Sequence, residues 1–210
     1  MLRSVFLAAL CLTLLMAQTP DLKFKGNRFR ALQYGELTPA QKVMADNLLN
    51  GERAGGGGPF NVLMRSPEMG DLAQKLGAQV RYHSSLPPKL NEFAIIITGR
   101  YWTSQYEWYA HKPLALKAGL KPAIADSLAL GKRPAGMDAE EEMVYNFATE
   151  LLNTKQVTDP TFKAVVGKFG EKGAVDLTTV IGYYQLVCSL LNLDGYPLPD
   201  GAQPELKPLR

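Results

Sequence analysis

The chain has 210 residues, a formal net charge of +3 and apolar residues over 46% of its length. That is enough for one domain with a full core and too near neutrality for strong attraction to nucleic acid or a membrane. No basic stripe points to either partner, and two cysteines, Cys11 and Cys188, leave the fold to rest on its core rather than on cross-links.

Arg3 followed by an apolar run over 5–16 predicts a secretory signal peptide at 1–19. The run is too short to span a bilayer as a helix, and no basic stop-transfer flank follows it. Cleavage near Ala17 or Thr19 has Leu15 where a small residue is preferred, so an uncleaved anchor and a misassigned start codon are the alternatives. Cys11 lacks the preceding small residue of a lipoprotein signal. On the signal reading the protein is exported, periplasmic or secreted. Loss of Arg3 then takes the charge from +3 to +2, and Cys188 is the one cysteine left.

Residues 20–37 mix charge and turn residues without periodicity, which predicts an extended arm of the kind that packs on a neighbouring subunit. Thr38 caps a helix beginning at Pro39, with Val43, Met44 and Leu48 apolar at helical spacing, and Gly51 ends it. The glycine run 55–58 is followed by no Gly-Lys-Ser/Thr and preceded by no strand, so it reads as a flexible connection and not a phosphate loop. Phe60, Leu63 and Met64 either line a pocket or return the chain to the core. Ser66 and Pro67 start a helix to about Tyr82, whose inner face is Met69, Leu72, Ala73, Leu76 and Val80. His83 falls at or just past its end, where a histidine ordinarily meets the terminal carbonyls; it is the fallback base.

Pro87 and Pro88 open the next helix. Ile95, Ile96 and Ile97 suit a strand by propensity, but no alternation surrounds them, which favours a buried helix. Glu92 in so apolar a segment needs a partner. The candidates are His111 on the following helix and Arg100, eight residues on and two turns along roughly the same face. A short helix at 122–130, a Gly/Pro connection at 131–136 and a helix from an Asp138/Glu141 capping box to about Leu152 come next. Asp159 and Pro160 start a helix ending near Gly170, and the last helix, 172–193, is apolar nearly all round and so central or at a subunit interface. Tyr183 and Tyr184 on it either reach the site or belong to the core. With no strand pattern, repeat or second domain, the expectation is a single all-α domain of seven or eight helices over 38–199, followed by an extended tail at 200–210.

The chemistry concentrates in 86–120. Glu107 and His111 are four residues apart, which on a helix puts them on one face about a turn apart. A carboxylate on one imidazole nitrogen fixes the tautomer and raises basicity at the other. An exposed pair of this spacing would contribute only a few tenths of a kcal/mol, roughly. Tyr101, Trp102, Tyr106, Trp108 and Tyr109 around it speak for partial burial instead. Two carboxylates and an imidazole are acceptable metal ligands, but no H-x-x-E-H or related spacing supports a metal, and no cofactor is expected.

Glu92, Ser104, Glu107 and His111, followed by KPLALKAGL, together resemble the carboxymuconolactone decarboxylase family, also called alkyl hydroperoxidase D-like. GPFNVLMRSPEM (58–69) and LPPKLNEFAIIITGRYWTSQYEW (86–108) resemble its two most recognisable blocks, and LTTVIGYYQLVCSLLNLDGYPLP (177–199) its last helix, so the likeness spans 39–199. In the peroxidase branch a Cys-x-x-Cys pair stands where this chain has Ser104 and Glu107. A hydroxyl and a carboxylate cannot form the disulfide that thiol peroxidase chemistry passes through. The resemblance implies a helical bundle of the alkyl hydroperoxidase D type that assembles as a homo-oligomer, a trimer, hexamer or dimer. It implies acid-base lyase or isomerase chemistry on a small carboxylated lactone or related cyclic acid. In that reading His111 is the acid-base, Glu107 its orienting partner, and Glu92 a second acid-base or hydrogen-bond anchor. Ser104 contacts substrate, Arg100 holds a carboxylate, and Tyr106 and Trp108 wall the pocket. Peroxidase activity, which would need an exposed Cys188 of low pKa, and a non-catalytic binding or assembly protein are the alternatives.

Overall fold

The computed structural model describes residues 20–53 and 55–208; the signal-peptide and export expectations fall on 1–19, outside the described residues. Among the described residues, eight α-helices follow a 3-10 turn at Tyr34–Glu36: α1 Pro39–Asn50, α2 Phe60–Leu63, α3 Pro67–Tyr82, α4 Pro88–Tyr101, α5 Gln105–Lys117, α6 Pro122–Ala129, α7 Ala139–Thr154 and α8 Asp159–Asp194. No strand occurs among the described residues, and the fold is a single all-α domain.

Helix α4 is the axis of the bundle, packed against α5, α7 and α8. Leu90, Phe93, Ile95 and Ile96 are fully buried, which accounts for an apolar run with no polar face: a helix surrounded on all sides shows none. Within α8, Gly170 has φ 71° and ψ 174°, and this break divides it into the two segments that the sequence predicts. By length and composition α8 could cross a membrane, but Val180, Ile181, Val187 and Leu191 fill the core instead. A smaller cluster of Leu22, Met44, Leu48, Phe60 and Met64 packs beneath α1 and α3.

The caps follow the sequence at two helices. Thr38 and Gln41 form a capping box on α1, as do Asp138 and Glu141 on α7, with both bonds of the latter at 2.8 Å. Ser66 departs from expectation: its side chain makes no cap bond, and its carbonyl accepts from Gly70 N. The inner face of α3 is also different. Met69, Leu72 and Leu76 are 65%, 70% and 44% exposed, as is Val43 of α1 at 59%; the buried face is Gly70, Ala73, Gln74, Gly77 and Val80. The reason is close approach. A Cβ on Gly70 would lie 2.6 Å from Met44 Sδ and 2.9 Å from the Leu63 carbonyl oxygen, so packing selects the smallest residues where periodicity selects the largest.

Both chain ends fold back onto this body. The 20–37 arm packs on its own chain. The fully buried Asp194 carboxylate accepts from Asn27 N at 3.2 Å and Phe29 N at 2.8 Å, while Arg28 donates to the Leu193 carbonyl at 2.7 Å. The arm thereby satisfies groups at the end of α8 that the helix itself cannot pair. The tail is extended as expected, and Leu206 is buried, exchanging hydrogen bonds with the Gln105 side chain at 2.6 and 3.1 Å.

Asp194→Ala strands these arm N–H groups and is expected to cost about 1–3 kcal/mol. The check is a lower urea midpoint together with faster tryptic cleavage in the arm. An unchanged midpoint would contradict the anchoring role.

Candidate active site

The turn joining α4 and α5 is tight. Thr103 has φ 48°, Ser104 N donates to the Gly99 carbonyl and Trp108 N to the Ser104 carbonyl, so the two helices form a hairpin. That hairpin sets His111 against Glu92, with His111 Nδ1 2.7 Å from Glu92 Oε2. On its other side His111 Nε2 lies 3.3 Å from Glu107 Oε2 and 3.3 Å from the Tyr184 hydroxyl of α8. The His111 and Tyr184 rings meet edge to face with centroids 5.0 Å apart. An ionised Glu92 can only accept, so the bond at Nδ1 keeps a proton there and leaves the Nε2 lone pair as the working group.

Glu107 is 4% exposed. Its Oε2, 3.3 Å from His111 Nε2, makes no hydrogen bond among the described residues. Burial pushes the Glu107 carboxyl above the usual carboxylate range; the charges of His111, Arg81 and Arg53 oppose that rise, and Glu92 adds to it. Burial likewise raises the Tyr184 phenol well above its ordinary value, with Glu107 adding to the effect. The site therefore sets an imidazole whose Nε2 can accept beside a carboxyl and a phenol whose proton affinities burial raises, a combination suited to acid-base chemistry.

These groups border a cavity of about 240 Å³, at the small end for ligand sites, which run to roughly 300–1,000 Å³. Its walls include Arg53, Gly58, Phe60, Arg81, Tyr106, Tyr183 and Val187. The glycine run, expected to be a flexible link, is a built wall. Gly58 N donates to the Tyr196 hydroxyl at 3.2 Å, and a Cβ on Gly56 would lie 2.2 Å from the Leu22 carbonyl oxygen. Glycine is required there because another stretch of backbone occupies the space.

Of the residues singled out in the sequence, His111, Glu92 and Glu107 come together, and Tyr106 lines the cavity beside them. Three others do not. Ser104 is 1% exposed and is not in the wall of this cavity; its buried hydroxyl faces the Cys188 thiol of α8. Arg100 is buried and donates to the Lys207 carbonyl at 2.6 Å, holding the tail rather than a ligand or Glu92. Trp108 is in the core, with Nε1 donating to Glu205 Oε2 at 3.1 Å. His83 is an exposed partner of Glu52 at 2.8 Å, away from the cavity. Cys188 is fully buried, and burial raises its thiol well above the ordinary value.

The sequence reading missed Arg53 and Arg81 and left Tyr184 undecided. Arg81 carried a weak signal, lying one turn beyond Gly77 on the same face of α3. Arg53, in a connection, carried none. No model of a known protein family matches the chain, and no curated protein is similar enough to count as a relative.

Because the folded state holds the Glu107 proton above the unfolded value of 4.5, it binds more protons than the unfolded chain above that pH. Stability therefore falls as pH rises from about 4.5 through the folded value. In Glu107→Gln this fall is absent. Urea midpoints of the two proteins compared from acid to mildly alkaline pH should show the wild type losing ground to the variant. A constant difference would contradict the raised carboxyl.

Proposed function

We propose that the protein is an acid-base lyase or isomerase acting on a small carboxylated lactone or related cyclic acid. The observation that carries this reading is the position of His111 Nε2, which meets Glu107 and Tyr184 at a cavity while Nδ1 is tied to Glu92 at 2.7 Å. In a decarboxylation the bond from ring carbon to carboxylate breaks and carbon dioxide leaves. The electron pair passes into the conjugated carbonyl as a dienolate, and a proton must then be delivered to carbon. Glu107, whose carboxyl is held above the usual range, is placed to supply that proton through or alongside His111. Tyr184 is a neutral donor for the developing oxyanion, a role that stabilises the charge without transferring a proton. In an isomerisation the same pair would abstract a proton at one carbon and return it at another.

The buried, high-pKa Cys188 weighs against thiol peroxidase chemistry, since the thiolate is the reactive form and this site disfavours it. The cavity's two arginines favour an anionic occupant.

The test is a panel of carboxylated lactones and cyclic acids in deuterium oxide, followed by NMR for loss of the carboxyl carbon and for deuterium entering the ring. Turnover is expected with at least one member, and His111→Gln should lower it by about 10²-fold or more. Glu107→Gln should lower it by a similar order while leaving the fold intact. No exchange with any member, or full activity in His111→Gln, would overturn the assignment.

A further inference from the structure

The cavity holds two arginines that the proton transfer itself does not employ. Arg53 is fixed on several sides: Nε donates to the Gln74 carbonyl and Nη2 to the Tyr183 hydroxyl, each at 3.3 Å. Its guanidinium lies over the rings of Phe60 at 5.2 Å and Tyr183 at 5.8 Å. This placement requires glycine at 77, since a Cβ there would lie 2.0 Å from Arg53 Nη2 and 2.1 Å from the Tyr183 hydroxyl oxygen. A glycine in mid-helix is less favourable than alanine, so α3 gives up helix stability where the arginine sits.

Arg81, one turn further along α3, is less satisfied. It lines the cavity, and its Nε is buried with no hydrogen-bond partner among the described residues. A buried donor left unpaired is costly, and more so on a charged group. The guanidinium fork matches a carboxylate, which it binds through two parallel hydrogen bonds. The nearby acidic side chains do not serve this purpose, because Glu107 of the cavity wall and Glu92 behind His111 are turned to the two sides of that imidazole.

We propose that Arg81, together with Arg53, forms a carboxylate-binding subsite of this cavity, and that filling it loads a proton onto Glu107. This rests on the acid-base reading only for the use to which that proton is put. Glu107 is faced by His111 from its own helix, Glu92 from α4, Arg81 from α3, Arg53 from the connection before α2, and Tyr184 and Cys188 from α8. The two arginines hold its proton affinity down. A bound carboxylate neutralises their field and adds a negative charge of its own, and both effects favour the protonated acid. An anionic substrate would thus charge the general acid as it arrives, and an uncharged analogue would not.

The probe is 2-furoate, a carboxylated five-membered oxygen ring, with 2-furamide as its uncharged counterpart. Each is titrated calorimetrically into the intact protein at pH 7, in MOPS and in Tris, whose ionisation enthalpies differ. Furoate is expected to bind with net proton uptake, read as a buffer-dependent enthalpy, and furamide to bind at least tenfold more weakly. Arg81→Met should weaken furoate at least tenfold. Arg81→Lys, which keeps the charge without the fork, should weaken it less and retain the proton uptake, so a fold defect in the Met variant is distinguishable from loss of the subsite. Glu107→Gln should still bind furoate, but with the buffer dependence gone. Equal binding of furamide, full furoate affinity in both Arg81 variants, or undiminished proton uptake in Glu107→Gln would each overturn the proposal. Furoate binding with these properties in a protein that turns over no lactone would sustain the subsite and remove the lyase reading. Turnover without Arg81-dependent binding would do the reverse.

Discussion

The hydrogen bond between His111 and Glu92 is the constraint on which the site depends, because it ties the two helices of the hairpin together beside the cavity. Glu92 sits in a helix otherwise buried on every side, and a carboxylate there is tolerated only with a partner. The 2.7 Å contact supplies one and fixes the imidazole by its Nδ1 edge. Orientation of the Nε2 edge toward Glu107 and Tyr184 then follows from ring geometry alone. Pairs of this kind contribute little net stability in a low-dielectric interior, yet removing one member commonly costs about 3–5 kcal/mol. The bond is better understood as a positioning device than as a source of stability.

The cavity is assembled from parts distant in sequence, and small residues decide how closely they meet. Gly77 makes room for Arg53 and Tyr183, Gly56 for the arm, and Gly70 for Met44. Three glycines therefore set the spacing between α3, the glycine-rich wall and the rest of the bundle. Charge follows the same plan. Two arginines are brought into the field of two carboxylates set on the two sides of one histidine; burial raises the proton affinity of Glu107 against the pull of the arginines, and Arg81 Nε is left without a hydrogen-bond partner among the described residues.

Much of this was legible in the sequence where the signal was local. Proline at helix starts, the Asp138 and Glu141 box, Gly170 as a break and the buried isoleucines of α4 all correspond to observed features. The spacing of Glu107 and His111, and the need of Glu92 for a partner, identified the three groups that meet. What the sequence concealed was long-range. Arg100, two turns from Glu92 on roughly one face, is a candidate partner for that carboxylate by spacing, but the tail returns to claim it. The Met69, Leu72 and Leu76 stripe looked like an inner face because hydrophobicity was weighed without volume, whereas the helix approaches its neighbours through glycine and alanine. Arg53 emerges only when a loop and α8 are folded together.

The most direct test is the tautomeric state of His111, read from imidazole ¹⁵N shifts of the labelled protein across its titration, with His83 as an internal comparison. Glu92 lies on Nδ1 of His111, whereas Glu52 lies on Nε2 of His83. The neutral form of His111 should therefore carry its proton on Nδ1 and that of His83 on Nε2, and Glu92→Gln should weaken the preference at His111 alone. A neutral His111 protonated on Nε2, or a preference indifferent to Glu92, would contradict the claim that this carboxylate aims Nε2 of His111 at the cavity.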